Sequence, residues 1–194
     1  MKNNIEVSKK ISSIADNNIV VNELSSSFVE NVVTSYIKDD NISYDLLVHN
    51  YELHVNSYVK LLKQLLTYET NKSVIVYNFG LLLELFLKMI LLKLNISTVD
   101  ETCAFRHRII DMFNKLLEEK NLDLKLKKNI EYIRARISLI ESSKGKRIDY
   151  NNYPDLRYNH KLDSLDLIIT DMINEHDIKY IMEVLQCIEL IMKC

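Results

Sequence analysis

Residues 74–94 read VIVYNFGLLLELFLKMILLKL, and the fold follows from how this stretch is buried. A helix of this length would reach across a bilayer. Glu84 and Lys88 sit at its centre, however, and Asn78 and Lys93 interrupt it further. A charge at mid-bilayer costs roughly 2.5–3.5 kcal/mol even on the lenient insertion scale. The stretch is therefore expected to be the central helix of a bundle, apolar nearly all round and with no membrane partner.

The flanking sequence supplies helices to cover it. From Ser43 to about Glu69, Leu46, Leu47, Tyr51, Val55, Tyr58, Val59, Leu62, Leu65 and Leu66 recur mostly at steps of three and four, which is helical spacing. Asn71 and Ser73 can cap the central helix. Asn95–Thr102 reads as a linker. A shorter helix is expected over about Phe105–Lys120, with Ile109, Ile110, Phe113, Leu116 and Leu117 inward. Another spans Leu124 to about Glu141 on Leu126, Ile130, Ile133, Ile137 and Ile140. Residues 142–155, SSKGKRIDYNNYPD, hold the only proline and one of the two glycines, and form the main loop. A last helical region covers roughly Leu162–Lys193, broken near Asn174–His176. Residues 1–40, richer in Ser and Asn, read as a helical extension, with the bundle over 41–194.

Composition agrees. A chain of 194 residues with 2 Gly and 1 Pro falls far below the roughly 14 and 10 of average usage, which argues against turn-rich sheet folds. The glycines of a P-loop or a dinucleotide-binding crossover are missing. The expectation is an all-α, antiparallel helical bundle. The net charge of −2 excludes a broadly basic nucleic-acid coat but leaves room for a local basic site. Cys103, Cys187 and Cys194 form no CxxC pair, and with no secretory signal at the N-terminus they point to a reducing cytoplasm. His49 and His54, five apart, fall on different helix faces, so neither a metal nor a cofactor is expected.

Chemistry concentrates in three places. Glu84 and Lys88, at i and i+4, are either a structural pair, with Arg134 or Arg136 as a further partner for Glu84, or part of a polar cleft. Arg106, His107 and Arg108 open the third helix. Cations there oppose the helix dipole and call for an anion, either an internal carboxylate or an external phosphate. The loop and the residues after it carry Lys144, Lys146, Arg147, Tyr150, Tyr153, Arg157, Tyr158, Asn159, His160 and Lys161. Cations interleaved with aromatics suit a phosphate backbone and stacked bases, although tyrosines are also ordinary loop anchors. Arg157 and His160 at i, i+3 would have the groups for metal-independent RNA cleavage.

This order of features resembles the HEPN superfamily, small dimeric all-α proteins of prokaryotic toxin–antitoxin, abortive-infection and RNA-processing systems. The likeness runs from about Ser43 to Lys193 and rests on short motifs: Glu84 and Lys88 in LLLELFLKMILL, His107 opening the next helix, and Arg157-Tyr158-Asn159-His160 before the last helices. It implies a homodimer, with Arg157, Asn159 and His160 as the catalytic candidates and Glu84, Lys88, Arg106, His107, Lys146, Arg147 and Tyr158 as binding candidates. Catalytic members place four to six residues between Arg and His, and no such pair exists in this chain. A non-catalytic module binding a nucleotide, RNA or a partner protein (an antitoxin or a nucleotidyltransferase) is the expectation. The alternatives are a ribonuclease acting at a dimer cleft and an unrelated helical interaction factor.

Overall fold

The computed structural model describes residues 44–67, 72–143, 150 and 174–193. Residues 48–194 belong to one compact unit, which takes in all of the described residues except the first turn of the first helix. The extension over 1–40, and the boundary drawn after it, lie outside the described residues. Among the described residues there are six helices and no strand. They are α1 (Tyr44–Thr67), α2 (Lys72–Lys93), α3 (Val99–Ala104), α4 (Ile109–Glu118), α5 (Leu124–Ser143) and α6 (Glu175–Met192).

Helix α2 is the axis of the bundle. It is long and apolar enough to cross a membrane by length and composition, yet its apolar stretch is buried within the unit. Every residue from Val74 to Leu92 is buried, the polar Asn78, Glu84 and Lys88 included. A fully buried Leu or Phe contributes about 1.5–3 kcal/mol relative to exposure, so this one helix carries a large share of the stabilising burial. The covering helices contribute single faces: Tyr51, Val55, Tyr58, Val59 and Leu62 from α1, and Ile130, Ile133, Ile137 and Ile140 from α5.

Two antiparallel pairs frame the core. Glu52 near the start of α1 meets Lys93 at the end of α2 at 2.8 Å, while the other ends of these helices are joined by a four-residue link. Along α5 and α6, Tyr132 meets Glu183 at 2.9 Å and the Cys187 thiol faces the Asn129 carbonyl at 3.8 Å, so the numbers run in opposite directions. Helix α4 packs on both α2 and α5.

The end of α2 and the segment after it explain where sequence reading and structure part. Asn95, at φ 54°, stops α2: its N–H donates to the Leu92 carbonyl at 2.8 Å, and the Ile96 N–H to the Leu91 carbonyl at 2.9 Å. That is a Schellman stop with Asn in the left-handed position. The expected linker over Asn95–Thr102 then contains most of a helix. Thr98 accepts from the Glu101 N–H at 3.2 Å, and Glu101 accepts from the Thr98 N–H at 3.0 Å, a capping box that starts α3. Helix α4 begins at Ile109, four residues later than periodicity suggests, because Arg106 takes φ 51° and breaks the chain direction. The inner face of α4 uses Met112 beside Ile109, Phe113 and Leu116, while Ile110 and Leu117 are only half-buried.

Of the loop after α5, the described part is Tyr150. Its ring is fully buried and meets Phe79 of α2 edge-on, with centroids 5.6 Å apart, and its N–H donates to Glu141 Oε1 at 2.9 Å. This tyrosine is a loop anchor, not a base-stacking surface.

Candidate functional site

The site starts in the middle of α2. A spacing of four puts Glu84 and Lys88 on one helix face, and both are buried, with 3% and 6% of their surface exposed. Lys88 Nζ donates to Glu84 Oε1 at 2.5 Å. The second carboxylate oxygen, Oε2, lies 2.8 Å from His107 Nδ1. Each oxygen of Glu84 thus has its own cation or donor. Burial alone would push the Glu84 carboxyl up. The His107 hydrogen bond and the Lys88 charge outweigh burial and hold it below the ordinary glutamate value. Glu84 is therefore a carboxylate, which accepts, and His107 donates its Nδ1–H.

The turn between α3 and α4 delivers His107. The Arg106 N–H donates to Cys103 O and the Arg108 N–H to Phe105 O, both at 3.0 Å, and Arg106 sits in the left-handed region. A non-glycine residue there costs about 1–2 kcal/mol. The turn drives the His107 ring towards Glu84 and leaves Arg106 and Arg108 exposed on either side. Arg108 is tied back: it lies 3.0 Å from Asp111, donates to Ala104 O at 3.2 Å, and stands 6.0 Å above the Phe105 ring.

Two further side chains feel the charges of this cluster. Tyr51 of α1 is buried, and its phenol is pushed up by burial first, then by Cys103 and Glu84. Cys103 of α3 is half-buried, and its thiol is raised by burial against the pull of Lys88. Both remain protonated at neutral pH. The cluster itself is one carboxylate, one ammonium and one imidazole, drawn from α2 and the turn.

Of the residues picked from sequence, Glu84, Lys88 and His107 meet, and Arg106 stands next to them on the outside. Arg106, His107 and Arg108 lie in the turn between α3 and α4 instead of opening a helix. The anion that this run of cations calls for is, for His107, the internal carboxylate of Glu84. Arg136 does not reach Glu84: it pairs with Glu183 at 2.6 Å, because α5 turns that face towards α6. Lys146, Arg147, Arg157, Tyr158, Asn159 and His160 lie outside the described residues. Sequence alone does not single out Tyr51, which reads as one more apolar position in α1. The signal for Cys103 is the Thr98–Glu101 capping box, which makes the segment around it helical. Among the described residues no three His, Cys, Asp or Glu side chains gather to hold a metal ion.

Chemically, a carboxylate-bound imidazole is fixed in tautomer and direction, the arrangement that orients a proton-transfer group or a hydrogen-bond donor. The exposed guanidinium groups beside it are suited to phosphate oxygens. No known protein family, no curated protein and no solved structure matches this chain.

Proposed function

We propose that this chain is a HEPN-like RNA- or nucleotide-binding module of a prokaryotic defence or toxin–antitoxin system. In this reading it acts in the cytoplasm as a homodimer, without a metal or cofactor, beside an antitoxin or nucleotidyltransferase partner. One observation carries the reading. The buried Glu84 carboxylate grips His107, and the strained turn so held lifts Arg106 and Arg108 into solvent. Strain in a surface turn persists only where its surroundings over-determine it, and such places cluster at ligand clamps. Phe105 beneath Arg108 adds an aromatic face to the cations.

The test is binding of short RNAs and of nucleotides to the full chain by calorimetry. The expected result is micromolar or tighter binding that falls at least tenfold in the Arg106→Glu/Arg108→Glu variant. Indifference of the double variant would sink the reading. The same RNA samples, recovered after incubation, also report on catalysis: cleavage lost in Arg157→Ala or His160→Ala would make the module a ribonuclease.

A second reading has its own support. Glu84 finds partners for both oxygens within the chain. An ion pair of that kind serves a fold equally well in an unrelated helical interaction factor. Absence of RNA and nucleotide binding, with a protein partner recovered instead, would favour it.

A further inference from the structure

The antiparallel α5–α6 pair carries a second ordered polar surface, away in sequence from the turn before α4. Helix α5 bears five cations, Lys125, Lys127, Lys128, Arg134 and Arg136, against the acids Glu131 and Glu141, in a chain whose net charge is −2. Lys125, Lys128, Tyr132 and Arg136 succeed one another at steps of three, four and four, so they share one face. Tyr132 is 39% exposed on that face.

A surface tyrosine ordinarily swings between rotamers. Here its neighbours fix it. The Arg136 guanidinium lies 4.6 Å from the centroid of the Tyr132 ring and 5.3 Å from that of Tyr180 on α6. The Tyr132 hydroxyl donates to Glu183 Oε2 at 2.9 Å and accepts from Arg136 at 3.3 Å. Glu183 in turn stands 2.6 Å from Arg136 Nε. The guanidinium is thus held against two rings from two helices while one carboxylate tethers the phenol. A ring held in this way loses little conformational entropy when something stacks on its open side. Lys128, one turn away, and Lys179, beside Tyr180, are both exposed.

We infer that Tyr132, fixed by Arg136, Tyr180 and Glu183 and flanked by Lys128, is a stacking platform for an unpaired base of single-stranded RNA. A base inside a duplex is already stacked and offers no face, whereas an unpaired base can lie on tyrosine while a lysine takes the adjoining phosphate. A docking site for another protein would not need the lysines. The inference rests on the RNA-binding reading, but it uses different residues and can fail separately.

The experiment uses the full chain and fluorescein-labelled RNA, a 12-nucleotide oligouridylate and a hairpin duplex, read by anisotropy at low salt. Tyr132→Leu is expected to weaken oligouridylate binding about tenfold, since stacking on an aromatic is worth about that factor per base. Tyr132→Phe, which keeps the ring and loses the tether, should cost under threefold, and the duplex should be indifferent to both. Lys128→Glu, an exposed change that leaves folding intact, should also weaken the single strand. Should Tyr132→Leu and Lys128→Glu bind oligouridylate like the parent while Arg106→Glu/Arg108→Glu does not, the platform is wrong and the RNA reading survives. If the parent chain binds no RNA, the platform falls with the RNA reading, and the proposed function then stands only on nucleotide binding. A change of oligomeric state in Tyr132→Leu by sedimentation, with RNA affinity unchanged, would assign the face to protein contact and overturn the platform.

Discussion

Glu84 decides more than any other residue, because it is an ion in the most apolar helix of the chain. Removing one partner of a buried pair leaves an uncompensated charge, which typically costs about 3–5 kcal/mol. Glu84→Gln, which strands the Lys88 ammonium, is expected to lose about that much in urea denaturation. Replacing both, as in Glu84→Leu/Lys88→Met, should recover most of it, since well-packed apolar residues often match or exceed a buried ion pair. Recovery in the double variant without RNA binding would separate the role of the pair in the fold from its role in holding His107. The acid limb of stability comes from the same group. The folded-state pKa of Glu84 lies below its ordinary value of 4.5, so the unfolded chain takes up the proton first. The stabilisation is complete above about pH 4.5 and is lost as pH falls through the lower, folded-state value. The difference in unfolding free energy between the parent chain and Glu84→Gln should therefore shrink on acidification below pH 4.5. A constant difference would mean that Glu84 is not the charged partner. Sequence alone locates this residue, because a charge between Leu83 and Leu85 needs a partner wherever it is buried. It cannot name His107 as that partner. The contact depends on a left-handed Arg106, and arginine carries no signal for that conformation.

Among the elements, the long helices are legible in the sequence and the short one is not. Helices α1 and α5 emerge from apolar residues at three- and four-residue steps, because each buries a face of many residues and noise averages out, and α2 emerges from its long apolar run. Helix α3 has six residues and too few apolar positions to show a period, and its capping box is the only mark it leaves. The turn after it gives a test in which stability and function move in opposite directions. Glycine at position 106 adopts φ 51° without the steric cost that arginine bears. Arg106→Gly is expected to keep or raise the thermal midpoint, by an amount corresponding to about 1 kcal/mol at most after the unfolded-state entropy of glycine is subtracted. The same change should weaken RNA binding several-fold through the lost guanidinium. A variant that melts earlier and binds normally would show that Arg106 serves the turn alone. The stop of α2 offers the matching control. Asn95→Gly should be neutral or slightly stabilising, and Asn95→Val should destabilise by about 1 kcal/mol or more, with RNA affinity unaltered in both.

For the whole molecule the governing number is the net charge of −2, which leaves no general attraction for a polyanion. Any RNA affinity must come from a few cations brought together by the fold, and the described candidates are Arg106, Arg108 and Lys128. Each phosphate neutralised on a single strand contributes about −0.7 to the slope of log affinity against log salt. About three contacts predict a slope near −2, hence a loss of about twentyfold between 50 and 200 mM salt. Arg106→Glu/Arg108→Glu should flatten that slope by more than one. Tyr132→Leu should lower the affinity at every salt concentration and leave the slope unchanged, since stacking releases no counterions. Anisotropy titrations at four salt concentrations measure both quantities in one series. A slope near zero in the parent chain would remove phosphates from the account, and an equal flattening by the arginine and tyrosine variants would mean that neither surface acts as assigned.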